Sequence, residues 1–245
     1  MLALRHAHPR DSRITFDEPT HTYTIDDGAQ KYTSVTTFIK PLFEEFDADA
    51  VIANMMRSSK WSASKYFGMS PDEIKAQWAR SGAESAAQGT KLHADIESFY
   101  NEEPVVNDSP EYQYFLKFND DLKTLKPYRT EWTVFDEELL IAGSIDMVYQ
   151  REDGDLVIYD WKRVKGIEKS SRFAGVGKKD AISHLPNTNY WHYALQLNLY
   201  KFLLEKNYGV KVVGLCLVCL HPDKPKAEVV HVCDLQAEIK ELLKT

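Results

Sequence analysis

The order of elements along these 245 residues predicts an α/β fold: a mixed central β-sheet flanked by helices, with an N-terminal hairpin and helical elaboration. Three observations carry this reading. Residues 142–149 and 156–162 are rich in β-branched and aromatic side chains and are separated by Asp153-Gly154, a hairpin turn pair. A further strand-like run, residues 128–134, precedes them, with helical spacing on either side of the group. The helical stripe Tyr193, Leu197, Tyr200 and Leu204 then leads into an apolar strand at 211–220. A chain of this length buries a full core, and the expected organisation is an elaboration over 1–82 packed on a core over 83–245.

Composition narrows the class. No apolar run approaches the roughly eighteen residues a membrane helix needs, and the opening Met1-Leu2-Ala3-Leu4-Arg5-His6 is too short for a signal sequence, so an intracellular protein without membrane contact is expected. Cys216, Cys219 and Cys233 do not make a disulfide framework. The Cys216/Cys219 spacing falls in a strand, where residues three apart point to opposite faces, so buried thiols are expected rather than a ligand pair. Net charge is −7, yet Lys162, Arg163, Lys165, Lys169, Arg172, Lys178 and Lys179 face only Glu168 in their own stretch, a basic tract fit for phosphates.

From the N-terminus, the Asp-Gly turn at 26–28 predicts a hairpin that pairs residues 21–25 with 31–33, and Ser34 caps a helix that ends near Pro41. Helical spacing at Val51, Ile52, Met55 and Met56 reads as core. Trp61, Tyr66 and Phe67 interleave with Arg57, Lys60 and Lys65. That mixture suits a single nucleic-acid strand, although a small aromatic cluster packed on the core explains it as well. Ser70-Pro71-Asp72-Glu73 is a capping box opening a helix toward residue 81. A second helix over 83–100 carries Gly89, His93 and Glu97 on one face, the glycine allowing close approach of a neighbour.

Chemistry concentrates on the 142–162 hairpin. Alternation puts Ile158, Asp160 and Lys162 on one face and Val157, Tyr159 and Trp161 on the other, and folding about the turn brings Asp146 within about one residue of facing Asp160. Two carboxylates on apolar strands are costly unless a divalent cation compensates them, and oxygen ligands favour Mg²⁺ or Mn²⁺. A lysine beside such an ion can position or deprotonate water for phosphodiester hydrolysis, while the plain alternative is a surface hairpin with an ion pair. On the preceding strand, a simple register sets Glu131 opposite Gly143 and away from Asp146, unless Gly143 marks a bulge. Residues 163–188 lack periodicity and form a long insertion. Gln196 and Tyr200 lie one turn apart on the 190–206 helix, capped from 187–189.

Gly143-Ser144-Ile145-Asp146, thirteen intervening residues and Asp160-Trp161-Lys162, with Gly89 to His93 upstream and Gln196 to Tyr200 downstream, resemble the four ordered motifs of the PD-(D/E)XK nucleases, in their RecB-like exonuclease branch. That branch includes the mitochondrial genome maintenance exonuclease and the CRISPR-adaptation nucleases. The resemblance covers roughly 85–220. It implies a restriction-endonuclease-like core and a metal-dependent DNA exonuclease of replication, repair or recombination, acting on single-stranded or end-containing DNA, with partner proteins from those pathways. It further implies that His93, Asp146, Asp160 and the Trp161 carbonyl hold Mg²⁺ or Mn²⁺, that Asp146, Asp160 and Lys162 are catalytic, and that Gln196, Tyr200, Glu97 and Glu131 support the site or the substrate. Some relatives hold an iron–sulfur cluster through four cysteines; with three here, and none upstream of His93, no cluster is expected. No phosphate-binding G-x-x-x-x-G-K-[ST] loop occurs, so no nucleotide cofactor is expected. The alternatives are an endonuclease of the same superfamily acting on DNA or RNA, and a module that binds nucleic acid without cutting.

Overall fold

The computed structural model describes residues 1–171 and 174–244. Its elements are α1 (Leu2–Arg5), β1 (Ile14–Asp17), β2 (Thr22–Ile25), β3 (Thr33–Ser34), α2 (Val35–Ile39), α3 (Ala48–Arg57), α4 (Pro71–Tyr100), α5 (Pro110–Asp121), β4 (Lys126–Asp136), β5 (Ile141–Gln150), β6 (Leu156–Lys162), α6 (Asn189–Asn207), β7 (Val212–Cys219), β8 (Glu228–His231) and α7 (Gln236–Leu242). They fall into two compact units, one of residues 1–44 with 92–245 and one of residues 45–91.

The first unit is built on a six-stranded mixed sheet in the order β3-β5-β6-β7-β8, with β4 along the other edge of β5. The β4–β5–β6 pairings are antiparallel, whereas β7 runs parallel to β6, as the crossover through α6 requires. Ile158, Leu195, Leu199 and Leu217 bury one face under α6. Tyr159, Trp161, Ile96 and Phe115 bury the other under α5 and the end of α4. The expected mixed α/β architecture is therefore present, and β6 alternates between the two faces as its sequence pattern requires.

The N-terminal pairing differs from expectation. Residues 22–25 pair with Ile14–Asp17 through the turn at 18–21, not with residues 31–33. Thr33 and Ser34 instead join the main sheet parallel to Ile141 and Ala142. The Asp-Gly turn does form, with Gly28 N–H donating to the Ile25 carbonyl, but it redirects the chain rather than closing a ladder. Burial decides the outcome: Ile14, Tyr23 and Ile25 pack on Phe135 and Ala142, so the β1–β2 hairpin belongs to the sheet's unit. Ser34 caps α2 by accepting from Thr37 N–H at 3.1 Å.

In the second unit the capping box forms as expected, with Ser70 N–H donating to Glu73 Oε2 at 2.7 Å and Glu73 N–H to Ser70 Oγ at 3.3 Å. The two helices expected over 71–81 and 83–100 are one continuous helix, α4. Gly82 and Gly89 each cost a helix about 1 kcal/mol, too little to break one rich in alanine and long polar side chains. Gly89 has no close neighbour in its unit: beyond its chain neighbours and the backbone of its own helix, no heavy atom of a described residue there lies within 4 Å of where its Cβ would be.

The 163–188 insertion is anchored in the core. Ile182 and Leu185 are fully buried, Val176 bridges to Pro186, and Lys178 N–H donates to the Leu42 carbonyl. Two apolar anchors were too few to register as periodicity.

Candidate active site

The register Met147↔Tyr159 on β5 and β6 carries Asp146 opposite Asp160. Asp146 Oδ2 accepts from Trp161 N–H at 2.9 Å, which ties its carboxylate to the neighbouring strand. Asp160 is almost fully buried. Its Oδ2 lies 2.6 Å from Lys162 Nζ, and its Oδ1 accepts from Gln196 Nε2 at 3.3 Å. The lysine ammonium also rests 4.7 Å from the centroid of the Tyr193 ring.

Glu131 departs from the simple register. The pairs Thr130↔Met147 and Trp132↔Ile145 set it across from Asp146, not Gly143. Its φ is +44°, a left-handed conformation costly for any residue but glycine. Around it regular alternation fails: Ile145 packs on the α6 face and Met147 on the opposite one, although residues two apart on a strand should share a face. The irregularity thus sits at Glu131 and Asp146, and it turns both carboxylates toward His93.

His93, Glu131 and Asp146 offer ligand atoms within 4.8 Å of one another. His93 Nε2 is 2.9 Å from the Trp161 carbonyl oxygen. A carbonyl can only accept, so Nε2 donates, and Nδ1 is left facing Asp146 Oδ2 at 3.5 Å and Glu131 Oε1 at 4.0 Å. A lone pair aimed at two carboxylates requires a proton or a cation between them. The electrostatics agree. Burial, helped by the charge of Asp146, pushes the Glu131 carboxyl up to about 8. Burial and Asp146 likewise raise Asp160 to about 6, against the pull of Lys162. Burial and mutual repulsion make it costly for these carboxyls to carry charge side by side, a cost that a divalent cation would relieve, and oxygens with one imidazole nitrogen are a fitting donor set. For Lys162, burial favours the neutral amine, but Asp160 and Asp146 outweigh it and hold the group as an ammonium.

Of the other expected residues, Gln196 and Tyr200 are buried, and Gln196 donates to Asp160. Glu97 lies outside the ligand cluster; burial and then the charges of Glu103 and Glu18 raise its carboxyl. Arg163 leaves the basic surface: its side chain is only 9% exposed and ion-paired to buried Glu111 at 2.7 Å. Lys165, paired with Asp223 at 2.8 Å, and Lys178, paired with Glu44 at 3.5 Å, are exposed. Lys169 lies 4.6 Å from the Tyr190 ring, Lys179 is exposed, and Arg172 falls outside the described residues. In the second unit Phe67 is 59% exposed and Trp61 packs edge-on against it. Tyr66 accepts from Trp78 Nε1 at 2.8 Å.

Sequence reasoning missed Tyr23. This buried β2 residue packs on Phe135 and Ala142, and burial, with the charges of Glu131 and Asp146, raises its hydroxyl. Its distance along the chain from every motif left no local signal to find it by. The cysteines are as expected: Cys216 and Cys219 are buried and free, Cys216 beside His231 and Cys219 donating to the Val164 carbonyl. Among the described residues no helix is long and apolar enough to cross a membrane.

Among solved structures, the chain is similar to the one named SSO0001, at 16% identity over 87% of this chain and 73% of that one, with a TM-score of 0.34. It is also similar to a protein of Eubacterium rectale provisionally named an exonuclease, at 13% identity over 87% and 77% of the two chains, with a TM-score of 0.35. No curated protein matches. The model of the PD-(D/E)XK nuclease superfamily matches residues 72–244, a stretch holding β4 to β8 and the acids they bring together, and the chain accordingly belongs to that superfamily of metal-dependent phosphodiester hydrolases of nucleic acid.

Proposed function

We propose that the chain is an Mg²⁺- or Mn²⁺-dependent deoxyribonuclease of the RecB-like branch, working as an exonuclease on single-stranded or end-containing DNA. The observation that carries the reading is the meeting of His93, from α4, with Glu131 and Asp146 on the neighbouring strands, next to the Asp160–Lys162 ion pair. His93, Asp146 and Asp160 would hold the ion with the Trp161 carbonyl, and Glu131 joins them in a role closer than support. Bound there, the cation would polarise the phosphate and lower the pKa of water. Lys162, kept as an ammonium by its two aspartates, orients the attacking water and stabilises negative charge on the phosphate, but does not itself take the proton. Gln196 holds Asp160 in place, with Tyr200 one turn further along the same helix.

Residues 83–245 carry this machinery, with 1–82 as its elaboration. The exposed lysines of the 163–188 insertion offer phosphate contacts for a strand. The motif order Gly89/His93, Asp146, Asp160/Lys162, Gln196/Tyr200 supports the exonuclease reading, and trimming of ends in replication, repair or recombination fits it. Incubation of linear single-stranded DNA and a covalently closed single-stranded circle, with Mn²⁺ or with chelator, tests it. Loss of the linear substrate alone, only with metal, is the expected result. Circle cutting at a comparable rate makes the protein an endonuclease, and binding without cutting makes it a nucleic-acid-binding module.

A further inference from the structure

The superfamily match begins at residue 72, yet a segment far upstream of it is fastened to the strand that carries Glu131. Glu131 has a left-handed φ of +44°, a conformation that persists only where surrounding contacts hold it. Its carboxylate is held by Ser144, whose Oγ donates to Oε2 at 2.8 Å, while Oε1 lies 4.0 Å from His93 Nδ1. The residues on either side of it are held as well. Asp11 accepts from Arg129 Nη1 at 2.7 Å through Oδ2 and from Trp132 Nε1 at 3.0 Å through Oδ1. Residues three apart on a regular strand point to opposite faces, whereas these two converge on one carboxylate, with Arg129 4.8 Å from the centroid of the Trp132 ring. The left-handed residue between them accounts for the shared face. Arg129 Nη1 also donates to the His6 carbonyl at 2.9 Å, and His8 N–H donates to Asp11 Oδ2 at 2.8 Å. Arg129 and Trp132 are both buried, which makes their bonds to Asp11 costly to break. An ion pair needed only to fasten the N-terminal segment could sit anywhere along β4; this one brackets Glu131.

We propose that Asp11 is a positioning residue for the metal site: by clamping Arg129 and Trp132 together, it keeps β4 in the left-handed turn that presents Glu131 to His93 and Asp146. The proposal rests on the reading of that cluster as a cation site. Asp11 acts through the path of β4 rather than on the reacting atoms. Groups that orient a ligand directly contribute about 10–100-fold to metal affinity, and one acting through the ligand's backbone belongs at the lower end.

The test is calorimetric titration of the full-length protein with Mn²⁺ alone, so the readout does not depend on cleavage. Asp11→Asn keeps the shape of the side chain but replaces one accepting oxygen by an NH₂ group, so that one of the two clamping bonds is lost. It is expected to raise the Mn²⁺ dissociation constant about tenfold. Glu131→Gln alone should weaken binding, and the Asp11→Asn/Glu131→Gln double variant should bind no more weakly than Glu131→Gln, because the clamp works only through Glu131. Thermal unfolding in chelator reports whether each variant is folded at the titration temperature. If Asp11→Asn is not, Arg129→Lys supplies the answer, since it keeps the charge and gives up the planar fork that reaches Asp11. Wild-type affinity in the folded variant overturns the clamp, as does an additive double variant, for a purely structural ion pair lowers the melting temperature and leaves the affinity of folded protein unchanged. Wild-type protein that binds no Mn²⁺ overturns the cation-site reading and the clamp with it.

Discussion

Gly143 lies directly beneath the ring of Tyr200, so that a Cβ at residue 143 would stand 2.7 Å from Tyr200 Cε1 and 3.1 Å from its hydroxyl oxygen. Two sequence motifs 57 residues apart, counting 200 less 143, are therefore parts of one packing contact. Val35 Cγ2, at 3.1 Å from the same point, closes the other side, and the neighbours have little room to yield. Gly143→Ala should cost about 1–3 kcal/mol of stability as an overpacked core position. It should also lower cleavage beyond what unfolding explains, because a displaced Tyr200 would shift its stretch of α6 and with it Gln196, which bonds Asp160. Denaturant midpoints and cleavage rates on the same samples check this, and a variant as stable and active as wild type would contradict it.

Replacing Asp160 or Lys162 by alanine should abolish cutting while DNA affinity stays within about twofold, since these groups serve the chemical step rather than the grip. Cleavage assays paired with fluorescence anisotropy read both quantities. Wild-type cutting in either variant would remove the pair from the reaction.

His93→Ala should raise the Mn²⁺ concentration needed for half-maximal cleavage and leave unfolding in chelator close to wild type. His93 is only partly buried, and removing a ligand loosens the ion before it loosens the protein. Added metal should also stabilise the wild type, by about 2.7 kcal/mol at a hundredfold excess over the dissociation constant, and stabilise the variant less. Equal metal titrations in the two proteins would make His93 a structural residue.

Asp11 provides the pH dependence. Burial disfavours its charge, but bonds from Arg129, from His8 N–H and from the Trp132 indole outweigh burial and hold its carboxyl below the ordinary 3.8. A depressed carboxyl contributes stability that is full above the unfolded-state pKa and is lost as pH falls through the folded-state one. Asp11→Asn should therefore cost about 2 kcal/mol at pH 7, where wild type has this contribution in full. The difference in melting temperature should shrink only as pH falls below the ordinary 3.8, and vanish below the lowered folded-state value. A stability difference independent of pH would rule the ion pair out as its source.

Neutralising Lys165, Lys169, Lys178 and Lys179 together should weaken DNA binding and flatten its salt dependence, by up to about 0.7–0.9 log units for each phosphate that a lysine no longer neutralises. Arg163 is left out because Glu111 already holds it in the interior. If the salt slope does not move, the strand is gripped elsewhere, and the exposed aromatics around Phe67 are the next surface to vary.

What the sequence by itself determined is what local periodicity controls. Alternation put Asp160 and Lys162 on one face of β6, the turn at Asp153-Gly154 set Asp146 across from Asp160, and the Ser70 box started α4, because side-chain direction and capping depend on a few consecutive residues. Only the tertiary structure decided the rest. Glu131 faces the cluster through a left-handed residue and a break in alternation, and nothing in residues 128–134 announces either. Thr33 pairs with β5, and Tyr23 is buried on the sheet, because the apolar side of β1–β2 finds its burial on Phe135 and Ala142, over a hundred residues away. Arg163, which reads as a surface cation, is interior because Glu111 on α5 comes to lie beside it. Each of these outcomes is set by which distant surface satisfies a buried group, and that free energy is not contained in any short window of the chain.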